Sequence, residues 1–387
     1  MKSELPDNFL ANCTFLFGAG ASKDANIPLT HELYDQLIDE IENGYTSNTS
    51  IDLRWAKYLK KFHELTKGNF EQTIAIIKYL SILKPQRPAI YLAINFLSDF
   101  DKKLVEGEEV TDFFHKFWVF ISHQFLQEKL EAKTENLTYL DNLMSLAKMK
   151  PVSIFTLNYD DVIEKACQKN DVDIQLGFDQ QNRWFTNSFS DMEKGIKLYK
   201  LHGSIHWKYN LINLGPYYEQ ILKDKIGMDS PYERMYEPAL IMGDEKLETK
   251  GHFLDMFFSF KEELSKQNNL CIVGYSFQDS HINKLLWEWY NKDTENKHLL
   301  IVDPSVISEI PATRKHDIIV PDFALKEPGF TDLTGYKILA GGRQLGFVTT
   351  FFDVFKNGVS YAGIYPQKIG FKDFLRDWKI SVKEGQK

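Results

Sequence analysis

The stretch that decides the fold is Phe15–Ser22, near the N-terminus, which reads Phe-Leu-Phe-Gly-Ala-Gly-Ala-Ser. Its apolar start predicts a buried strand, and the glycines then predict a turn that opens a helix. Gly18 and Gly20 would let the backbone come close to a pyrophosphate, and the partial positive charge of the helix start favours an anion. A dinucleotide fingerprint would have a third glycine where Lys23 stands, so a plain turn without a ligand is the alternative.

Three later segments repeat the pattern of polar or small residues just after an apolar run. They are Phe155–Asp161, Leu201–Ser204 and Ile272–Phe277. In an open parallel sheet, the carboxyl ends of the strands converge on one crevice, where ligands bind. The sequence therefore predicts that these segments meet the glycine turn at one site.

The order and spacing of these segments, taken with Gly18–Ser22 and Asn26–Pro28, resemble the SIR2 (sirtuin) family. The resemblance covers about residues 10–30 and 150–305. It implies a Rossmann-like parallel sheet that binds NAD. It also implies that one turn cradles the NAD diphosphate, formed by Gly18, Ala19, Gly20, Ala21 and Ser22.

The resemblance implies three catalytic residues. Asn158 and Asp160 fall on the family's Asn-x-Asp positions beside the nicotinamide ribose, and His202 falls on its catalytic histidine. Breaking the nicotinamide–ribose bond needs an amide or carboxylate near the reacting carbon and a base that reaches a ribose hydroxyl or water. Asn158 supplies an amide, His202 titrates near neutral pH, and Asp160 could orient either. The alternatives are helix capping by Asn158 and Asp160, a structural role for His202, and His206 as the active histidine.

The resemblance also implies later contacts with the cofactor. Gly274 and Ser276 match a Gly-x-Ser segment that contacts the phosphate and ribose of NAD. Asp303 follows the apolar run Leu300–Val302 and matches the strand end near the adenosine. A plain turn over residues 274–276 is the alternative.

The cysteines separate this chain from the protein deacylases of the family, which carry a zinc module of two Cys-x-x-Cys pairs. Cys13, Cys167 and Cys271 lie far apart, whereas a structural zinc site needs four ligands at short spacing. We therefore expect no zinc. Leu157 stands where deacylases usually have glutamine, and Asn26 where they often have glycine. Asparagine tolerates left-handed backbone, so the second change costs little.

Composition limits the other classes of function. The chain has 387 residues, 43% of them hydrophobic, and a net charge of −8. A sequence-independent nucleic-acid binder needs clustered lysine and arginine, which this acidic balance disfavours. The sequence lacks a run of about 18 uncharged apolar residues, and Met1–Asp7 lacks the apolar region of a signal peptide. We therefore expect a cytoplasmic protein that contacts neither nucleic acid nor membrane.

The hydrophobic pattern divides the chain into three parts. Residues 31–150 show helical periodicity and predict an all-helical insertion, whereas residues 1–30 and 151–305 predict an α/β core with a parallel, doubly wound sheet. Within the insertion, the aromatic run Phe113–Phe120 predicts a buried helix, or alternatively a lid or an oligomer contact. The predicted strands and helices from Pro151 onward are Val152–Leu157, Asp160–Lys169, Lys197–Leu201, Gly251–Lys266, Leu270–Val273, Ser280–Tyr290 and Leu299–Val302.

Residues 306–387 form a C-terminal extension outside the resemblance. We expect it either to cover a sheet edge or to bind a partner. Its predicted elements are strands near Lys315–Val320 and Tyr336–Ala340 and helices near Val348–Lys356 and Phe371–Val382.

The resemblance implies an NAD glycohydrolase that releases nicotinamide and ADP-ribose. Bacterial SIR2-like proteins with a long helical insertion are similar to effectors of antiphage defence that deplete NAD, and some act with a HerA-type ATPase. We therefore expect a regulated homo-oligomer, with such an ATPase as the candidate partner. The alternatives are an NAD-dependent protein deacylase or ADP-ribosyltransferase, and a non-catalytic subunit that senses NAD or ADP-ribose.

Overall fold

The fold is built around one parallel sheet with helices on both faces. It is seen in a computed structural model that describes residues 9–43, 52–82, 107–179, 184, 189, 192–210, 220–223, 236–243, 246, 251–277, 279–292, 297–303, 339–340, 343–344, 364–367 and 371–377. The strands are β1 Cys13–Phe17, β2 Pro151–Thr156, β3 Ile174–Gln175, β4 Gly195–Lys200, β5 Gly203–Asn210, β6 Gln220–Lys223, β7 Tyr236–Leu240, β8 Asn269–Val273, β9 His298–Val302, β10 Leu339–Ala340, β11 Arg343–Gln344 and β12 Ile364–Gln367.

The central sheet has seven strands in the order β12-β9-β8-β1-β2-β4-β3, and every neighbouring pair is parallel. Strand β1 lies between β2 and β8, with Phe17 opposite both Thr156 and Val273. The chain adds β2 on one side of β1 and later adds β8 on the other, so the strand order reverses there. Ligand crevices of open α/β sheets form at such a reversal, outside the carboxyl ends of the strands.

Both faces of the sheet are covered by helices, as its apolar strands require. Phe15 and Leu16 on β1 are fully buried. The α-helices are α1 Thr30–Asn43, α2 Arg54–Leu65, α3 Phe70–Ile82, α4 Gly107–Val119, α5 Leu126–Leu130, α6 Asp141–Ala147, α7 Val162–Asn170, α8 Gly251–Lys266, α9 Ser280–Asn291 and α10 Phe371–Asp377. The π-helical segment is Phe120–Phe125, and the 3₁₀ segments are Leu10–Asn12, Ala19–Ala25 and Thr134–Leu140.

The predicted fold class is confirmed: a Rossmann-like parallel sheet is combined with a large helical region. Between Thr30 and Ala147, the described elements are helices, and none of them joins the sheet. The aromatic run Phe113–Phe120 lies in the core of this helical insertion. There Phe117 stacks on Trp55 with ring centroids 4.9 Å apart, and Phe114 contacts Tyr58 edge to face at 5.4 Å. Burial of these rings agrees with the interpretation of the run as a buried helix.

Two helices begin differently from what the sequence predicted. The turn after β1 opens a 3₁₀ helix, Ala19–Ala25, rather than an α-helix, and Asn26 ends it in the left-handed conformation with φ 63°. Helix α7 begins at Val162, two residues after the predicted start. Asn26 therefore takes the backbone conformation that the sequence comparison with glycine suggested.

A second, antiparallel sheet was not predicted. It has the order β6-β5-β7, and β5 starts directly after β4 leaves the central sheet. Gly203, with φ +92°, permits this turn, because a Cβ there would lie 1.9 Å from the carbonyl oxygen of Ala239 on β7. The glycine therefore allows β7 to pack directly against the end of β4.

The C-terminal extension contributes to the central sheet and packs against the core. Strand β12 pairs with β9 at the sheet edge, where Pro366 is tolerated because an edge strand can lack one N–H donor. This strand was not predicted. Helix α10 starts at the predicted residue, and Leu339–Ala340, within the predicted strand Tyr336–Ala340, pairs with β11. The elements expected near Lys315–Val320 and Val348–Lys356 lie outside the described residues.

Candidate functional site

A cavity of about 480 Å³ lies at the carboxyl ends of β1, β2, β8 and β9, at the reversal of strand order. Most of the predicted site residues line it, although they come from five separate segments of the chain. Those that line it are Gly18, Ala19, Gly20, Asn158, Asp160, His202, Gly274, Ser276 and Asp303. Ala21 and Ser22 are buried behind this wall, each 3% exposed. The volume is in the range of sites for small-molecule ligands.

The glycines of the first turn meet the loop that follows β8. The N–H of Gly18 donates to the carbonyl oxygen of Val273, and the N–H of Gly20 donates to that of Gly274, both at 2.9 Å. Gly274 has φ +58°, and a Cβ there would lie 2.4 Å from the backbone of Gly20 and Ala21. These glycines therefore allow two loops to pack together. The sequence pattern predicted that they would let a pyrophosphate come close, and did not predict this packing role.

Asn158 is fixed to the glycine turn by its side chain. Its Nδ2 donates to the carbonyl oxygen of Gly18 at 2.9 Å and to Oγ of Ser22 at 3.0 Å. A carbonyl oxygen only accepts, so the Gly18 contact fixes which end of the amide faces the turn. The side-chain oxygen of Asn158 is then the end available to a ligand in the cavity. Asn158 does not cap helix α7 in this arrangement.

Asp160 does bond the first turn of helix α7, through an N–H donated by Val162 to its Oδ1 at 3.2 Å. Burial raises the pKa of Asp160 to about 6, against the opposing effects of the Lys200 charge and of hydrogen bonds from Ser22 and Val162. The carboxyl group is therefore close to half protonated in mildly acidic solution. Capping and a role in the cavity are compatible at this residue.

Lys200 holds the loop that carries Asn158 and Asp160. Its side chain is fully buried and donates to the carbonyl oxygen of Asp160 and, at 2.8 Å, to Oε1 of Glu164. A buried lysine is stable only when it is paired and hydrogen-bonded. The pairing fixes the position of the loop relative to strand β4.

His202 follows β4 and is held in place by its backbone. Its carbonyl oxygen accepts an N–H from Ile241 at 3.0 Å, on the chain leaving β7. The side chain is 1% exposed, and neither ring nitrogen makes a well-formed hydrogen bond with a described residue. A buried imidazole without a well-formed hydrogen bond is costly in the absence of a ligand, so the ring is poised to accept or donate a hydrogen bond inside the cavity. The backbone of Leu157 also acts on the ring and works to raise its pKa, against the effect of burial.

The pKa of His202 is lowered to about 3, chiefly by burial and secondly by the charge of Lys246, while Asp279 acts in the opposite direction. The ring is therefore neutral at physiological pH and has one nitrogen able to accept a proton. His206 does not line the cavity, and its Nε2 lies 3.1 Å from Oδ2 of Asp161. The second histidine candidate thus has a structural partner.

Three charged residues that the sequence pattern did not single out form the wall beside His202. Nζ of Lys246 lies 2.6 Å from Oε2 of Glu71 and 2.8 Å from Oδ1 of Asp279. Tyr159 donates to Oε1 of Glu71 at 3.2 Å and to the carbonyl oxygen of Ile241 at 2.7 Å. These bonds connect helix α3 of the insertion to the central sheet.

The insertion and the extension supply further parts of the wall. Leu126 and Leu130 on α5 line the cavity, as does Phe371 at the start of α10. Phe371 packs edge to face on Phe17 and Tyr139, with ring centroids 5.2 and 5.9 Å apart. The hydroxyl of Tyr139 donates to the carbonyl oxygen of Ala21 at 3.0 Å, which steadies the glycine turn from the insertion side.

The three cysteines are free thiols, and Cys167 and Cys271 are buried. Over the described parts of the chain, no group of three or more histidine, cysteine, aspartate or glutamate side chains is placed to hold a metal ion. The lack of zinc stays a prediction for direct metal analysis. Among the described helices, none is long and apolar enough to cross a membrane.

Comparison with known protein families identifies the later part of the chain. Residues 152–319 match the family model of a SIR2-like domain. This part of the chain carries all but the first residue of β2 and the strands from β3 to β9, together with Asn158 and His202. The match supports the resemblance to the SIR2 family, and it begins after the glycine turn at Gly18–Ser22. No curated protein matches the sequence.

Several solved structures are similar to this chain at low sequence identity. A mutant of a Sir2 homologue in complex with ADP-ribose is 13% identical, with 79% of this chain and 85% of that chain covered and a TM-score of 0.36. A Sir2 complex with a peptide and NAD⁺ is 11% identical, with coverage of 97% and 96% and a TM-score of 0.35. A Sir2 protein bound to a propionylated peptide is 12% identical, with coverage of 94% and 90% and a TM-score of 0.36.

Proposed function

We propose that this protein cleaves NAD at the nicotinamide–ribose bond and releases nicotinamide and ADP-ribose. The observation that carries the proposal is the pairing, in one cavity, of an orientated Asn158 amide with a buried His202 whose ring nitrogens make no well-formed hydrogen bond with the described residues. The SIR2-like match over residues 152–319 supports NAD as the substrate.

The residues suit that reaction in three respects. Bond cleavage develops positive charge at the ribose carbon, which the side-chain oxygen of Asn158 can stabilise from a fixed position. Neutral His202 can accept a proton from a ribose hydroxyl or from the attacking water. Asp160, with its pKa of about 6, can exchange a proton with the same groups near neutral pH.

Hydrolysis is favoured over transfer to an acyl-lysine by the wall beside His202. That wall carries the charged side chains of Glu71, Lys246 and Asp279, which suit water or another polar acceptor. An NAD-dependent deacylase or ADP-ribosyltransferase is the second candidate, supported by the same SIR2-like match. It differs from a hydrolase in requiring an acceptor peptide for NAD consumption.

The proposed role is that of a regulated effector in antiphage defence, a homo-oligomer working with a HerA-type ATPase. An unregulated NAD hydrolase would exhaust the NAD of its own cell, so a gate is needed. The insertion supplies a structural basis for one, because Glu71 on α3 and Leu126 on α5 form part of the cavity wall. Light scattering of the purified chain and copurification with the ATPase would test the assembly.

The deciding experiment follows nicotinamide release by chromatography from purified protein and NAD, alone, with an acyl-lysine peptide, and with the ATPase. We expect release without peptide, and its loss in His202→Ala. The matched control is His298→Ala, because His298 is the first residue of β9, at the end of the strand opposite to the cavity. Consumption of NAD only with peptide would favour the deacylase. No NAD cleavage by folded protein under any of the three conditions would reject both enzymes.

A further inference from the structure

Lys246 and its two carboxylate partners, Glu71 and Asp279, form what we call the charged triad. The lysine side chain is 8% exposed and the two carboxylate side chains are 24% and 14% exposed. Each member comes from a different part of the fold: Glu71 from α3, Lys246 from the chain after β7, and Asp279 from the residue before α9. Burial of a lysine is unfavourable unless such partners hold it.

The charged triad lines the same cavity as His202, and Lys246 and Asp279 act on the imidazole electrostatically. Asp279 and Lys246 act on the imidazole with opposite sign, and His281 adds a weaker effect from the first turn of α9, with its ring centroid 6.1 Å from that of His202. The ring of Tyr159 lies near His202 as well, at a centroid distance of 6.3 Å. The two charges of the triad that act on His202 are thus bonded to each other.

We propose that Lys246 is a positioning residue for His202. By binding the carboxylate of Asp279, Lys246 keeps that carboxylate from pairing with the imidazole, which stays neutral and free to face the cavity. The inference rests on the proposed function in that it assigns a purpose to a neutral His202. The effect of Lys246 on the protonation of His202 does not depend on which reaction the site catalyses.

Lys246 and His202 compete for one carboxylate. A buried aspartate next to an imidazole ordinarily forms an ion pair with it and stabilises the protonated ring. Here Asp279 already accepts from Lys246 at 2.8 Å, and the lysine charge also disfavours a second cation nearby. Without the lysine, Asp279 would favour protonation of His202 up to a higher pH, and the protonated ring cannot act as a base.

The geometry also explains the role of Glu71. It accepts a second hydrogen bond from Lys246, at 2.6 Å, so that the lysine does not depend on Asp279 alone. Glu71 is fixed in turn by the hydroxyl of Tyr159. Helix α3 of the insertion is thereby connected to the charge state of the proposed base, through Lys246.

The test is a histidine NMR titration with ¹³C-labelled histidine, in which His202→Gln identifies the signal. In the wild type we expect the His202 signal not to titrate above about pH 5, since the pKa lies near 3. In Lys246→Met we expect a titration between about pH 5 and 7, because the uncompensated Asp279 charge now favours the protonated ring. Lys246→Arg is the matched control and should keep the wild-type behaviour, because it keeps the charge.

Two double variants separate this effect from damage to the fold. Lys246→Met with Asp279→Asn removes both opposing charges and should return His202 to wild-type behaviour. Lys246→Met with Glu71→Gln keeps the net charge of the triad and leaves a single unpaired carboxylate, so it should fold even if Lys246→Met does not. It should show the same raised titration, and a His202 signal unchanged from the wild type would overturn the proposal.

Activity gives an independent readout. In Lys246→Met the acidic limb of kcat/KM for NAD cleavage should move to higher pH by about one unit or more, whereas a merely structural defect would lower the rate at every pH. If the pH profiles of the wild type and Lys246→Met had the same shape and differed only in rate, this would also count against the proposal. A shifted NMR titration in a protein that does not cleave NAD would reject the proposed function and leave this inference standing.

Discussion

The side-chain amide of Asn158 donates a 2.9 Å hydrogen bond to the backbone carbonyl of Gly18, across 140 residues of sequence. The bond joins the loop after β2 to the turn after β1, at the point where the sheet reverses its strand order. It also turns the side-chain oxygen of Asn158 away from the turn. A single residue thus both joins the two loops and presents a polar oxygen to the cavity.

Substitution of Asn158 by alanine should therefore affect rate and stability together. We expect NAD cleavage to fall about 100-fold or more, as for other losses of a fixed polar group at a centre of developing charge. Unfolding in urea should show a cost of about 1–3 kcal/mol, because the buried groups of Gly18 and Ser22 lose a partner.

The matched control is Asn283→Ala, another buried asparagine with two side-chain hydrogen bonds, to Phe277 and Tyr275, but outside the cavity lining. It should lose similar stability and keep NAD cleavage within about tenfold. Equal loss of rate in both variants would show that Asn158 has no special role.

Gly274→Ala should be one of the most destabilising single substitutions in the core. The new Cβ would lie 2.4 Å from the backbone of Gly20 and Ala21, in a residue with φ +58°. We expect a loss of about 3 kcal/mol or more in the free energy of unfolding, from backbone strain and overpacking combined.

Gly68→Ala separates these two contributions. Gly68 also has a positive φ, +81°, but its Cβ would meet nothing nearer than a His63 side-chain atom at 3.7 Å. We expect a cost of about 1 kcal/mol from strain alone. Equal destabilisation by the two substitutions, measured in urea, would contradict the packing argument.

Asp160 should make stability fall as the pH rises from about 4 to about 6. Its folded pKa, about 6, lies above the unfolded value of about 3.9, so the folded state binds its proton more tightly. This contribution is fully present below pH 4 and is lost as the pH rises through 6. As the pH rises from 4 to 7, the free energy of unfolding of Asp160→Asn, measured in urea, should therefore increase by about 2–3 kcal/mol relative to that of the wild type.

The neighbouring Asp161 provides the control because its pKa moves the other way. Burial raises it, but this is outweighed by hydrogen bonds from His206 and Ala132 and by the charge of Lys165, so that the pKa is lowered overall. Its stabilisation is present above the unfolded value and is lost only as the pH falls below about 4. Asp161→Asn should accordingly differ from the wild type by a constant amount between pH 4 and 7. A pH slope shared by both variants would refute the assignment.

Lys200→Met should destabilise the protein by about 3 kcal/mol or more, since it leaves Glu164 without its buried partner. Lys169→Met is the control, a partly exposed lysine that pairs with Asp141 at 3.2 Å and should cost less than about 1 kcal/mol. Chemical denaturation measures both. In Lys200→Met the pKa of Asp160 should also rise, because the Lys200 charge lowers it; an unchanged pKa would contradict this account.

The sequence predicted those parts of the fold and site that have a local signature. Gly18, Asn158 and His202 each follow an apolar strand, and parallel strands bring their carboxyl ends together, so their convergence could be foreseen. Helix ends were less accurate, as at Val162, because Asp160 and Asp161 can each begin a helix.

Other parts of the site had no local signature. Glu71 lies in an ordinary amphipathic helix, and Lys246 follows a strand of a sheet that was not predicted. Both reach the cavity only through contacts between residues far apart in sequence, which periodicity does not report. Phe371 could be placed on a helix, but its packing on Phe17 is a contact between residues far apart in sequence.

The position of Phe371 in the cavity wall has a consequence for how the protein is made. Strand β1 and the glycine turn are synthesised early, whereas Phe371 and helix α10 come hundreds of residues later. The pocket is therefore closed only after the ribosome has synthesised helix α10 and released it from the exit tunnel. A nascent chain that has not reached this point would hold an incomplete pocket, so translation itself would delay the onset of the NAD cleavage proposed for this protein.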